Sequence, residues 1–125
     1  MADPLPLLWL RVRFPGGGFI GPGKAELLER IARTGSIAAA AREMGMSYKR
    51  AWSIIETLNA MFDMVLVETA RGGPGTGGAA LTRRGQDVLA EYRAIHAAAQ
   101  SHGKDSMARL QSWTRAKGPE EDKGD

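Results

Sequence analysis

Apolar residues recur along this chain with two different periods, and the changes of period divide it into elements. From Leu7 to Phe14, LLWLRVRF alternates: Leu8, Leu10, Val12 and Phe14 fall on one face, Trp9, Arg11 and Arg13 on the other. That predicts a strand with one buried side. Pro15 and three glycines stop it. Residues 24–34 change to helical spacing, with Leu27, Leu28, Ile31 and Ala32 on one stripe and Gly35 at the end. Ser36 then caps a short alanine-rich helix running to Met44, Gly45 supplies a turn, and Ser47 caps the next helix. That helix continues to Phe62 through Ile55, Leu58 and Met61. Residues 64–69, MVLVET, form a β-rich run; a glycine-rich loop, RGGPGTGGA, leads to a second short run around Ala80 and Leu81. Thr82 caps a last long helix carrying Val88, Leu89, Tyr92, Ile95 and Ala99 at spacings of three and four. Met107, Leu110 and Trp113 leave room for one more short helix.

The stretch SIAAAAREMGMSYKRAWSI has the spacing of a helix-turn-helix. Ala41, four residues before Gly45, has a side chain small enough for two helices to cross closely. Ala40, Met44, Met46, Ala51 and Ile54 fall where side chains face inward. Tyr48, Lys49, Arg50 and Ser53 face outward, at the end of a second helix that enters a DNA major groove. Two strands joined by a glycine-rich loop after such a helix make a wing. The predicted fold is therefore mainly α with a small β-wing: a winged helix-turn-helix with a long C-terminal dimerisation helix. Residues 1–102 form this domain, and 103–125 a short polar extension whose end is expected to be disordered.

Composition adjusts this picture only a little. With 125 residues and 43% hydrophobic content, the chain has enough apolar material for one core. It lacks cysteine, which removes disulfides and thiolate metal sites and fits a reducing cytosol. The N-terminus does not read as a signal peptide, and no apolar run reaches the roughly 20 residues that span a bilayer. A soluble cytoplasmic protein with no membrane partner is expected. Formal charge is +3, but the last seven residues set Glu120, Glu121, Asp122 and Asp125 against Lys123. The body is thus more basic than the total and suits a polyanion.

Candidate chemistry is sparse. Gly18 to Ala25, GFIGPGKA, nearly spells a phosphate-binding loop between a strand and a helix, and MVLVE imitates its acidic companion strand. Three features count against an NTPase. Ala25 lacks the hydroxyl that ligates magnesium, Pro22 has no amide proton, and the following segments read as helices. His96 and His102 read as surface residues, and Glu29 as a partner of Arg33. An enzyme is not expected, nor any metal site or cofactor.

Lys49 and Arg50 are the leading DNA contacts: arginine bonds two guanine acceptors, lysine a phosphate or one base edge. Ser47 caps the helix and has a hydroxyl to offer a phosphate. Tyr48 either touches the backbone or packs on Trp52, which itself reads as structural. In the wing, Gly72, Gly73, Gly75, Gly77 and Gly78 let the main chain lie close to phosphates, with Arg71 and Thr76 as side-chain contacts. Arg83 and Arg84 oppose the macrodipole of the last helix, a conflict a nearby phosphate would relieve. Val88, Leu89, Tyr92, Ile95 and Ala99 form the expected dimer interface, against the alternative that this helix folds back on its own domain.

GPGKAELLERIARTGSIAAAAREMGMSYKRAW, followed by VETARGGPGTGGAALTRRG, resembles the N-terminal DNA-binding domain of the ModE-type, molybdate-responsive transcription regulators. The resemblance spans roughly residues 7–100. It rests on the GS-I-AAA turn, the GMSYKRAW junction, the glycine-rich wing and the LT-x-x-G helix start, in that order. It implies a homodimer, joined through N- and C-terminal segments, on double-stranded DNA at promoters of molybdenum-related genes. Full-length members continue into small β-barrels that bind molybdate. No strand-rich segment follows residue 100 here, so only the DNA-binding half carries over, and the acidic polar ending reads as a natural terminus. The competing reading is a protein-interaction module on a winged-helix scaffold that no longer binds DNA.

Overall fold

A computed structural model describes residues 7–70 and 78–115. The chain opens on a small antiparallel hairpin, β1 (Val12–Arg13) and β2 (Phe19–Ile20), with Val12 opposite Ile20. Three helices follow: α1 (Pro22–Thr34), α2 (Ile37–Met44) and α3 (Tyr48–Met61). A second antiparallel pair, β3 (Val67–Ala70) and β4 (Gly78–Leu81), forms the wing, with Val67 opposite Leu81 and Ala70 opposite Gly78. Helices α4 (Arg83–His102) and α5 (Lys104–Trp113) complete the order. This is the mainly helical winged helix-turn-helix that the sequence predicts.

Leu27, Leu28, Ile31, Ile55, Leu58 and Leu66 are the largest fully buried side chains. Each contributes about 1.5–3 kcal/mol by leaving water. Because α1 packs against α2, β4 and α4, it is the hub of the domain. Ala40, Ala41 and Ala51 are buried where α2 meets its neighbours, as their small size requires. Met44, Met46 and Ile54 are half-buried against this core. Ala32 departs from expectation and is exposed. The buried stripe of α1 runs through Ala25, Leu28 and Ile31, and Ala32 turns beyond its edge.

The expected strand from residue 7 to 14 is reduced to two residues. Leu8 and Leu10 do not find a neighbouring strand. The Tyr92 hydroxyl donates to the Leu10 carbonyl at 2.7 Å, and His96 Nε2 lies 2.9 Å from the Leu8 carbonyl. His96 is therefore half-buried against the N-terminal segment rather than free at the surface, whereas His102 is exposed. Glu29 pairs with Arg93 of α4 at 2.8 Å, not with Arg33, which joins Arg30 on Glu43 of α2. The hairpin also accounts for the phosphate-loop look-alike. Phe19 and Ile20 are strand residues, and Pro22 occupies the first turn of α1. Lys24 Nζ donates to the Phe19 carbonyl at 3.1 Å and lies 3.7 Å from the centre of the Phe19 ring. Burial, and then the Arg11 charge, lower the Lys24 pKa. This lysine is committed within the hairpin and does not extend over a cradle.

Candidate nucleic-acid interface

The sharp elbow between α2 and α3 is built from local bonds. Ser36 Oγ accepts from the Ala39 amide at 3.0 Å, opening α2. Gly45 closes it at φ 68°, a left-handed conformation that favours glycine. There the Gly45 amide donates to Arg42 and the Met46 amide to Ala41, so orphan carbonyls of α2 are satisfied before the chain turns. Ser47 Oγ accepts from the Arg50 amide at 3.0 Å, which makes it the cap of α3.

Beyond that cap, Tyr48, Lys49, Arg50 and Ser53 are all exposed, while Ala51, Ile55 and Leu58 are buried on the opposite side of α3. Tyr48 packs edge-on against Trp52 with ring centres 6.2 Å apart, and Trp52 rests half-buried on the core. Neither Lys49 nor Arg50 has a carboxylate partner among the described residues. Arg33, Arg83, Arg84 and Arg93 have one each and Arg30 has two, while Arg11, Arg13, Arg42 and Arg109 also have none among the described residues.

The root of the wing is fastened beside this helix by three side-chain and main-chain clasps. Asn59, on the last turns of α3, accepts from the amides of Leu66 (2.7 Å) and Val67 (3.2 Å) through one oxygen. The Ala79 amide of β4 donates to the Gly35 carbonyl at the α1–α2 corner, 2.9 Å away. Thr82 accepts from the Gly85 amide as the cap of α4, while its hydroxyl donates to the Val65 carbonyl at 2.7 Å. Gly85 itself is buried under the Leu66 carbonyl, so closely that a methyl group would collide with it. A small cleft of about 200 Å³ separates wing and helix, lined by Ile37, Tyr48, Trp52, Thr69 and Ala79 among others. Recognition helix and wing thus flank the start of α2 on one side of the molecule.

Of the wing residues named from sequence, Gly78 opens β4. Arg71, Gly72, Gly73, Gly75, Thr76 and Gly77 lie outside the described residues. Arg83 and Arg84 are matched by acids, Asp87 at 3.2 Å and Asp63 at 3.1 Å, so no phosphate is needed to relieve them. Tyr92, expected between subunits, is turned into its own domain and is only 3% exposed. Val88 and Leu89 are half-buried against the same core, Ala99 is half-buried, and Ile95 is exposed. Asn59 escaped the sequence reading. Its one signal was an uncapped asparagine, a poor helix former, just ahead of a β-rich run.

The same pattern occurs in known proteins. Residues 23–86 match the bacterial regulatory helix-turn-helix proteins of the lysR family. The chain belongs to this family. Within it, the winged helix is of the kind found in ModE-type regulators. It is 44% identical over 89 residues to the molybdenum-pterin-binding protein MopA of Rhodobacter capsulatus, covering 71% of this chain and 34% of MopA. It is 46% identical over 74 residues to the DNA-binding transcriptional dual regulator ModE of Escherichia coli K12, covering 59% of this chain and 28% of ModE. The chain therefore spans about a third of the length of these relatives. Among solved structures, the DNA-binding domain of CbnR in complex with DNA aligns with a TM-score of 0.55 and 27% identity, covering 70% of this chain and 95% of that one. The family that matches is one of bacterial regulatory proteins.

Proposed function

We propose that this chain binds double-stranded DNA as a homodimer and regulates transcription of molybdenum-related genes. In this reading α3 lies in the major groove and the wing follows the adjacent backbone. One observation carries the reading: Lys49 and Arg50 stand exposed on the first turn of α3, without carboxylate partners among the described residues. A cation left unneutralised on a rigid helix beside an anchored wing suits phosphate and base edges better than it suits water alone. Two similar proteins support the same assignment: the CbnR domain in its complex with DNA, and ModE, a DNA-binding transcriptional regulator. In a two-fold dimer the two recognition helices would meet half-sites about 34 Å apart, so the operator should be palindromic. The molybdenum link rests on MopA and ModE, and the oxyanion-binding part of such proteins is not assigned to these residues.

Fluorescence anisotropy with a labelled duplex from the gene's own upstream region, titrated with salt, tests the proposal. Affinity should fall steeply with salt. Lys49→Ala and Arg50→Ala should each weaken specific binding roughly 5- to 150-fold without unfolding the domain. A lost base contact costs about 1–3 kcal/mol, and a lost phosphate contact lowers the salt slope by about one. Salt-insensitive binding, or wild-type affinity in both variants, would instead favour a scaffold that docks another protein.

A further inference from the structure

Helix α3 carries a single acid, Glu56, and it is exposed. Glu26, Glu29, Glu43, Asp63 and Asp87 each meet an arginine, the last two on the rim of an open groove between the hairpin and α4. Glu56 has no cation and no hydrogen-bond donor among the described residues. Local sequence supplies none: the positions three and four residues away hold Trp52, Ser53, Asn59 and Ala60. Glu68, Glu91 and Asp105 are also unpaired among the described residues, but they lie on other elements.

Helical geometry sets Glu56 among the expected DNA contacts. It follows Lys49 by about two turns, so the two side chains leave the axis within about 20° of each other, about 10 Å apart along it. Ser53, also exposed, falls between them. Leu58, two positions beyond Glu56, is fully buried, so the acid projects from the side opposite the core. The next residue on this outward stripe is Ala60, which is too small to hold the helix away from a surface.

Phosphates repel an acid placed there, so Glu56 weakens attraction to DNA in general. The floor of the major groove is a different surface. Guanine presents two acceptors and thymine one, all of which repel a carboxylate. Adenine sets its amino group beside an acceptor, whereas cytosine presents an amino donor alone. A carboxylate that leaves water must recover its hydrogen bonds, and cytosine returns one without an opposing lone pair.

We propose that Glu56 is a specificity-determining residue of α3, accepting a hydrogen bond from the amino group of one cytosine and rejecting guanine and thymine at that position. The proposal rests on the reading that α3 lies in the major groove, and it adds a base to those met by Lys49 and Arg50. The spacing along α3 sets this cytosine about two to three base pairs from the position nearest Lys49. Lys49 and Arg50 draw the helix to DNA, and Glu56 gives up part of that attraction to exclude wrong sequences.

Selection of duplexes from a random pool by the full chain, then anisotropy on the selected duplex and its single-base variants, tests this. Wild type should prefer cytosine over guanine at one position by roughly fivefold or more. Glu56→Ala should reduce that preference to within about twofold, keep the preferences elsewhere, and bind random duplex more tightly than wild type. Glu56→Gln should move the same position towards adenine, which an amide pairs with. Urea unfolding should be close to wild type for both, since the carboxylate has no bonded partner to lose among the described residues. If both variants keep every wild-type base preference, the acid is only a solvated charge and the proposal fails, while α3 stays in the groove. Loss of preference at a position where wild type selects guanine or thymine would also overturn it. A wild-type chain that enriches no sequence would remove the groove reading itself, and the proposal with it.

Discussion

Replacing Asn59 with alanine tests how the wing is held to the recognition helix. Its Oδ1 takes both the Leu66 and Val67 amides, at 2.7 and 3.2 Å. Leu66 is fully buried and Val67 nearly so, which leaves water little access to either amide. An orphaned buried amide costs about 1–3 kcal/mol, so losing the one oxygen that serves both should lower unfolding stability by roughly 2–6 kcal/mol. Asn59→Asp is the control. It keeps the accepting oxygen but turns the Nδ2 donor, 3.4 Å from the Val67 carbonyl, into a second acceptor. Its loss should be less than half that of alanine. Urea unfolding followed by circular dichroism, extrapolated linearly to water, gives both numbers. A loss under about 0.5 kcal/mol for alanine, or equal losses for the two variants, would mean the amides find other partners and the clasp is incidental.

Three further substitutions separate steric, conformational and electrostatic effects. Gly85→Ala drives a methyl group into the Leu66 carbonyl and should cost about 3 kcal/mol, measured by the same unfolding assay. Gly45→Ala meets no atom within 4 Å and pays only for its left-handed backbone, about 1–2 kcal/mol; the opposite ranking would refute the packing described. Arg33, then Arg30, hydrogen-bonds Glu43 and holds its carboxyl below the ordinary carboxylate range, with partial burial working the other way. A lowered acid pKa stabilises above the unfolded-state value, and the contribution disappears as pH falls through the folded-state value. Thermal melts of Glu43→Gln should therefore show a weaker acid dependence than wild type, and an unchanged profile would refute the link.

Local chemistry made the elbow legible in the sequence. Ser36, Gly45 and Ser47 are residues whose side chains or backbone freedom serve one position each, and all three sit there. The burial of Ala51, Ile55 and Leu58 followed from helical spacing alone. Misjudged features were those settled by distant partners. Alternation at residues 7–14 identifies two faces but not what bonds the backbone carbonyls; Tyr92, more than eighty residues away, donates to Leu10, and His96 lies within hydrogen-bond distance of Leu8. Glu29 and Arg33 stood four apart, yet each found a better-placed partner on another helix, Arg93 and Glu43. Tyr92 fitted an intersubunit stripe by spacing, and only the position of the N-terminal segment reveals that its own chain covers it. Likewise the phosphate-loop spelling dissolved because Phe19 and Ile20 pair with the strand before them.

The most direct measurement is an amide chemical-shift titration of the isotope-labelled chain with the upstream duplex. The account predicts the largest changes at Ser47 to Ser53 and along β3 and β4, with the groove between the hairpin and α4 little affected. Changes confined to that groove, or no changes at low salt, would contradict it.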